Sequence, residues 1–255
     1  MALLELNSVS QRFGGLQALS DFNITIEERE LVGLIGPNGA GKTTVFNLVS
    51  GFYVPTEGAI VFRGKPTRGL KPHQVTGMGM ARTFQNIRLW NNMSVLDNIS
   101  IGQYHWLGYG FISSVPSTKS YMEVERRIED KSREILEVME LSDVSDECPK
   151  NLPYGVQRRV ELARALSTNP RLLLLDEPAA GLNSSDVDGL IRLVKWIHSE
   201  FEIAIWMIEH QMKVVMSLCQ KLMVIDCGRT IASGLPKDVQ NDPEVIKAYL
   251  GDSAV

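Results

Sequence analysis

The stretch "LVGLIGPNGAGKTTVFNLVSG" (Leu31–Gly51) decides the fold. Its first five residues are continuously apolar, which is the pattern of a strand buried on both faces. "GPNGAGKT" (Gly36–Thr43) follows with the spacing G-x-x-x-x-G-K-[ST]. Its glycines let the backbone turn N–H groups inward around phosphate oxygens. The helix that begins near Lys42 and stops at Gly51 adds its positive end at the same place. Strand, glycine-rich loop and helix in this order are the context the motif requires. They predict a nucleotide-phosphate site made by Gly36, Pro37, Asn38, Gly39, Ala40, Gly41, Lys42, Thr43 and Thr44. Lys42 reaches the β- and γ-phosphates of ATP, and the Thr43 hydroxyl binds Mg2+.

A second apolar run, "RLLLLDEP" (171–178), ends in two carboxylates. The run buries the strand, so its end needs a reason to carry Asp176 and Glu177. Asp176 there holds Mg2+ through water. Neighbours on a strand point opposite ways. At the strand's end the chain bends, and Glu177 can face the γ-phosphate and polarise the attacking water as general base.

The totals bound what surrounds this site. The chain has 255 residues, 44% of them hydrophobic, enough for one core with a possible second lobe. A net charge of −4 supplies no broad basic surface, so nucleic acid is disfavoured as a partner. Cys148, Cys219 and Cys227 show no metal-binding spacing and fit a reducing compartment. "MALLELNSVS" lacks a basic region before its apolar residues, so no signal peptide is expected. The longest near-apolar stretch, "IAIWMI" (203–208), is too short to span a bilayer, and any work at a membrane needs another chain to cross it.

Strand patterns occur at 3–9, 22–28 and 59–64, around the buried strand 31–35. The strand signals fade from about residue 86, and "YMEVERRIEDKSREILEVMEL" (121–141) is strongly helical. The strand of 171–178, a helix over 186–201, an inner strand over 202–210 and a hairpin over 221–234 complete the chain. The alternation predicts an α/β core with a helical insertion: residues 1–85 with 166–255, and residues 86–165.

One stretch of the insertion, "LPYGVQRRVELARAL" (152–166), begins a helix oddly. Val156, Val160, Ala163 and Leu166 form one apolar face. Pro153 suits a helix start, where a missing N–H costs little.

The phosphate loop, "TFQN" (83–86), "LPYGVQRR" (152–159), "LLLLDEP" (172–178), "AAGLN" (179–183) and "IEH" (208–210) follow one another in this order. In that order they resemble the ATP-binding subunit of an ABC transporter, over essentially the whole chain. "ARTFQNIRLW" (81–90), "DEPAAGLN" (176–183), "IEHQMKVVM" (208–216) and "EVIKAYLG" (244–251) carry a closer likeness to the LivG type, the ATPases of high-affinity branched-chain amino acid importers. The resemblance implies a P-loop NTPase core with a mixed sheet, an antiparallel β subdomain and an inserted helical subdomain. It implies an ATPase at the cytoplasmic face of the membrane, paired head to tail with a second ABC ATPase subunit, either another copy or a related chain. Integral membrane permease subunits would be its direct partners, and a periplasmic or extracellular binding protein an indirect one. Urea importers and lipopolysaccharide exporters have similar ATPases and leave the cargo open, and non-transport ABC proteins are a further class.

The resemblance also implies roles. Phe13 stacks on adenine, Gln85 touches Mg2+ and the attacking water, and His210 contacts the γ-phosphate. Leu152, Pro153, Tyr154, Gly155 and Val156 form the signature motif, whose helix start faces the ATP held by the other chain. The family's commonest form is L-S-G-G-Q; here Pro153 replaces the serine, Tyr154 the first glycine and Val156 the glutamine. One hydroxyl bond to a charged group, about 1.5–3 kcal/mol, is thereby absent. "AGLN" would bridge the two chains, with Asn183 where the family often has aspartate. His73, His105 and His198 match no motif. The aromatics Tyr104, Trp106, Tyr109, Phe111 and Tyr121 admit two readings: packing within the helical insertion, or a surface that receives the membrane subunit.

Overall fold

A computed structural model describes residues 2–107 and 119–250. They fall into two compact units, 1–85 with 171–255 and 86–170.

Two sheets build the first unit. In the antiparallel sheet, β1 (Ala2–Phe13), β2 (Leu16–Glu27), β4 (Glu57–Phe62) and β5 (Lys65–Pro66) lie in the order β2-β1-β4-β5. Phe13 pairs with Leu16 across a tip made by Gly14 and Gly15. Both strands run further toward this tip than apolar alternation announces, because residues 12–16 are exposed and no buried face marks them.

The second sheet has the order β10-β9-β3-β8-β7-β6. Its members are β3 (Leu31–Ile35), β6 (Met80–Arg82), β7 (Leu172–Asp176), β8 (Ala204–Ile208), β9 (Lys221–Asp226) and β10 (Arg229–Gly234). All pairs are parallel except β9 with β10. Every residue of β3, β7 and β8 is buried, as their continuous apolar runs require. Edge strand β6 is too short to show a period, and only its pairing of Met80 to Leu172 and Arg82 to Leu174 identifies it.

Around these sheets lie α1 (Lys42–Val49), α2 (Pro72–Gly77), α7 (Ser184–Glu200), α8 (Met212–Leu218), α9 (Pro236–Gln240) and α10 (Pro243–Leu250). One core joins both sheets through α1: Phe22 and Phe62 from the first, Leu34 and Trp206 from the second, Val45 and Phe46 from the helix. Phe46 and Trp206 meet edge-on with ring centroids 5.2 Å apart. The parallel strands β3, β7 and β8 therefore present their C-terminal ends on one side, where ligands bind in open α/β sheets.

The second unit is helical: α3 (Val95–Ile101), α4 (Tyr104–Leu107), α5 (Lys119–Val138) and α6 (Tyr154–Ser167). Expected to run to 141, α5 stops at Val138, since Glu140 adopts a left-handed conformation at φ 53°. Ile99, Ile128, Leu136, Val160 and Leu166 are buried. A buried polar group sits among them: Gln103 Nε2 donates to Ser132 Oγ at 2.6 Å, and Ser132 in turn to the Ile128 carbonyl at 2.8 Å.

Candidate functional site

The turn out of β3 is possible only for glycine. Gly36 has φ 153°, and a Cβ there would lie 2.0 Å from the Ile225 carbonyl oxygen. Gly41, the N-cap of α1, has φ 106° and would meet the Ala18 carbonyl at 2.7 Å. Lys42 folds back over this loop, its Nζ donating to the Gly36 carbonyl at 2.7 Å and the Pro37 carbonyl at 2.8 Å. Burial lowers the pKa of the ammonium, against the upward pull of the Glu177 and Asp176 carboxylates. Asn38, Gly39 and Thr43 are exposed, Pro37 and Thr44 half-buried, and Ala40 is buried.

At the end of β7 the chain bends as expected. Glu177 adopts a left-handed φ of 46°, and its N–H donates to the Ile208 carbonyl at 2.9 Å. Gln85, at the end of this unit's first segment, donates from Nε2 to Glu177 Oε2 at 2.6 Å. His210, just beyond β8, places Nδ1 3.9 Å from the same oxygen. Three of the expected catalytic side chains, Gln85, Glu177 and His210, thus converge on one point.

Asp176 has a partner that sequence reasoning missed. Arg82 donates from Nη2 to Asp176 Oδ2 at 2.8 Å, and from Nη1 to Asn47 Oδ1 at 2.8 Å. The guanidinium carbon lies 5.0–5.8 Å from the ring centroids of Phe46, Phe52 and Phe84. An arginine three residues before Gln85, at the end of an otherwise apolar run, was the available signal.

The remaining oxygens suit a hard cation. Asp176 Oδ1, Thr43 Oγ1 and Gln85 Oε1 make no hydrogen bond to the described residues. Hydroxyl, carboxylate and amide oxygens are the donors that Mg2+ takes alongside phosphates. Among the described residues no cluster of three or more His, Cys, Asp or Glu could bind a metal without such help.

Phe13, at the hairpin tip, is 40% exposed and meets Tyr53 edge-on at 5.1 Å. An exposed ring fixed by a second ring can receive a planar base. His73 is exposed, while His105 and His198 face the carbonyls of Gly102 and Arg29. Asn183 caps α7, its Oδ1 accepting the Asp186 N–H at 3.0 Å.

In the second unit, Pro153 is the N-cap of α6 with no side-chain cap. Tyr154 and Gly155 are exposed at the helix start, while Leu152 and Val156 are half-buried. Val160, Ala163 and Leu166 are buried as their spacing predicts. Of the two arginines, Arg158 is buried against Glu161 at 2.6 Å, and Arg159 reaches Glu140 at 3.1 Å. Tyr104 is exposed and Tyr121 half-buried, whereas Tyr109, Phe111 and the Trp106 side chain lie outside the described residues.

Residues 19–180 match the ABC transporter family, and residues 229–255 a second family described as branched-chain amino acid ATP-binding cassette transporter. The chain is 41% identical over 251 residues to the high-affinity branched-chain amino acid transport ATP-binding protein BraF of Pseudomonas aeruginosa, with 98% of each covered. Identity and coverage are the same for LivG of Escherichia coli, which carries the same description. Among solved structures it is similar to the ATP-binding cassette MJ1267 in its ADP conformation, with a TM-score of 0.84, 30% identity, and 99% and 100% of the two chains covered.

Proposed function

This chain belongs to the ABC transporter family and is one of its ATPases, and from that premise we propose that it powers uptake of branched-chain amino acids through separate membrane subunits. The observation that carries the catalytic part is the convergence of Gln85 and His210 on the Glu177 carboxylate beside the Lys42 loop. Likeness to BraF and LivG supports the cargo. No helix of the described residues is long and apolar enough to cross a membrane, which supports a peripheral subunit working against membrane partners.

In this reading the loop from Gly36 to Thr44 holds the ATP phosphates. Lys42 exchanges its two carbonyl partners for β- and γ-phosphate oxygens and keeps a positive charge at the reacting group. Phe13 stacks on adenine, a contact worth about 1–3 kcal/mol. Glu177, oriented by the Gln85 amide, draws a proton from the attacking water, and His210 stands where the γ-phosphate develops charge. Thr43, Asp176 and Gln85 would hold Mg2+, which when bound neutralises phosphate charge.

The uncapped start of α6 in a second subunit would cover the terminal phosphate. Pro153 supplies no hydroxyl there, so attraction comes from the helix's backbone N–H groups and its positive end. ATP bound between two such subunits favours their closure, and hydrolysis removes the shared ligand and releases them.

Glu177→Gln in the assembled transporter tests this assignment. Turnover should vanish while ATP still binds and the closed dimer accumulates. Normal phosphate release from that variant would refute Glu177 as the base. Uptake of labelled leucine by the wild-type assembly, with urea as comparison, tests the cargo.

A further inference from the structure

Glu209 is completely buried, and no lysine, arginine or histidine side chain among the described residues pairs with it. A carboxylate in that position is unfavourable unless hydrogen bonds satisfy it. Here three backbone N–H groups do so, and they come from two different loops. Oε1 accepts the Ala179 N–H at 2.8 Å. Oε2 accepts the His210 N–H at 3.0 Å and the Gln211 N–H at 3.1 Å. The Gln211 side chain returns the contact, its Nε2 donating to the Ala179 carbonyl at 3.1 Å.

This arrangement begins where the sheet ends. The register of β7 with β8 closes at Asp176 opposite Ile208. One more bond, Glu177 N–H to the Ile208 carbonyl, follows before the chains diverge. Past that point Glu209 takes over the role of the ladder, holding the segment after Glu177 against the segment that carries His210. Adjacent residues at a strand end face opposite ways, so Glu209 points inward where His210 points out to Glu177.

We propose that Glu209 is a positioning residue: by joining Ala179 to His210 it fixes His210 relative to Glu177. The inference rests on the catalytic reading of Glu177 and His210 given above. It requires a carboxylate, because both oxygens must accept. An amide in the same place turns its NH2 toward an N–H of one loop or the other and releases that loop.

Glu209→Gln in the assembled transporter tests it, with Glu177→Gln beside it. A loosened His210 should lower kcat by about a hundredfold, the scale of a misplacement near 1 Å, with KM for ATP and binding of a fluorescent ATP analogue unchanged. Gln211→Leu removes only the return bond, and serves if Glu209→Gln does not fold; a smaller fall in kcat alone is expected. Wild-type kcat in whichever of these variants folds, or kcat and ATP affinity falling together with thermal stability, would overturn the proposal. Normal turnover in Glu177→Gln would instead sink the catalytic reading on which it stands.

Discussion

Arg82 and Asp176 form an ion pair closed off from water, with side chains 7% and 9% exposed and Nη2 2.8 Å from Oδ2. Arg82 stands at the end of β6 and Asp176 at the end of β7, so the pairing of the two strands sets their distance. Gln85, three residues further along, meets Glu177 in the same way. Edge strand β6 and the segment that follows it thus supply a partner to each carboxylate of the acidic pair.

Replacing Arg82 with Met should destabilise the protein by about 3–5 kcal/mol, because it leaves a buried carboxylate without its cation. Lysine at the same position keeps the charge but cannot fork between Asp176 and Asn47, and should lie between Met and wild type. Urea unfolding followed by circular dichroism measures both. A loss below about 1 kcal/mol in Arg82→Met, the range of an exposed pair, would show that the pair does not hold this edge.

Lys42→Ala removes the ammonium that donates to the Gly36 and Pro37 carbonyls of the phosphate loop. A charge-assisted contact contributes about 1.5–3 kcal/mol, so ATP affinity of the isolated chain should fall roughly ten- to hundredfold. Titration with a fluorescent ATP analogue reads this directly. Undiminished affinity would move the nucleotide away from this loop.

Gly155 offers a test that separates folding from assembly. A Cβ there meets nothing within 4 Å, and the residue lies in the first turn of α6. Alanine should therefore leave the isolated chain as stable or improve it, by up to about 1 kcal/mol. If the helix start closes on a neighbour's ATP, the same change should weaken ATP-driven association. Thermal melting and sedimentation of the Glu177→Gln background, with and without Gly155→Ala, give the two readouts. Equal association in both would remove this glycine from the interface.

Cys219 makes stability depend on alkaline pH. Burial, and secondarily the charge of Glu209, pushes its thiol from 9.0 to about 12. Between these values the native state keeps a proton that the unfolded chain releases. The stabilisation is therefore full below pH 9 and is lost as pH rises through 12. Cys219→Ala should flatten the alkaline limb of a stability–pH profile. An unchanged slope would assign the limb to other groups.

Much of this protein is a local property of its sequence. The phosphate loop, the buried strand of 31–35, the buried strand of 172–176 within the run of 171–178 and the apolar face of α6 each follow from spacings within a few residues, since strand alternation, helical period and glycine turns are short-range constraints. Glu177's turn could likewise be expected from where its apolar run ends. What joins these pieces is different in kind. Gln85 reaches Glu177 across 92 residues and Arg82 reaches Asp176 across 94. Neither partner bears a mark of the other in its own neighbourhood, and β6 is too short to carry any period. Glu209 reads in sequence as one more polar residue before a histidine. Its burial beneath two loops, and hence its need for three donors, exists only once the sheet has brought residues 179 and 209 together. Local sterics and periodicity wrote the elements; parallel strand pairing, which only the folded chain possesses, decided which side chains share a charge.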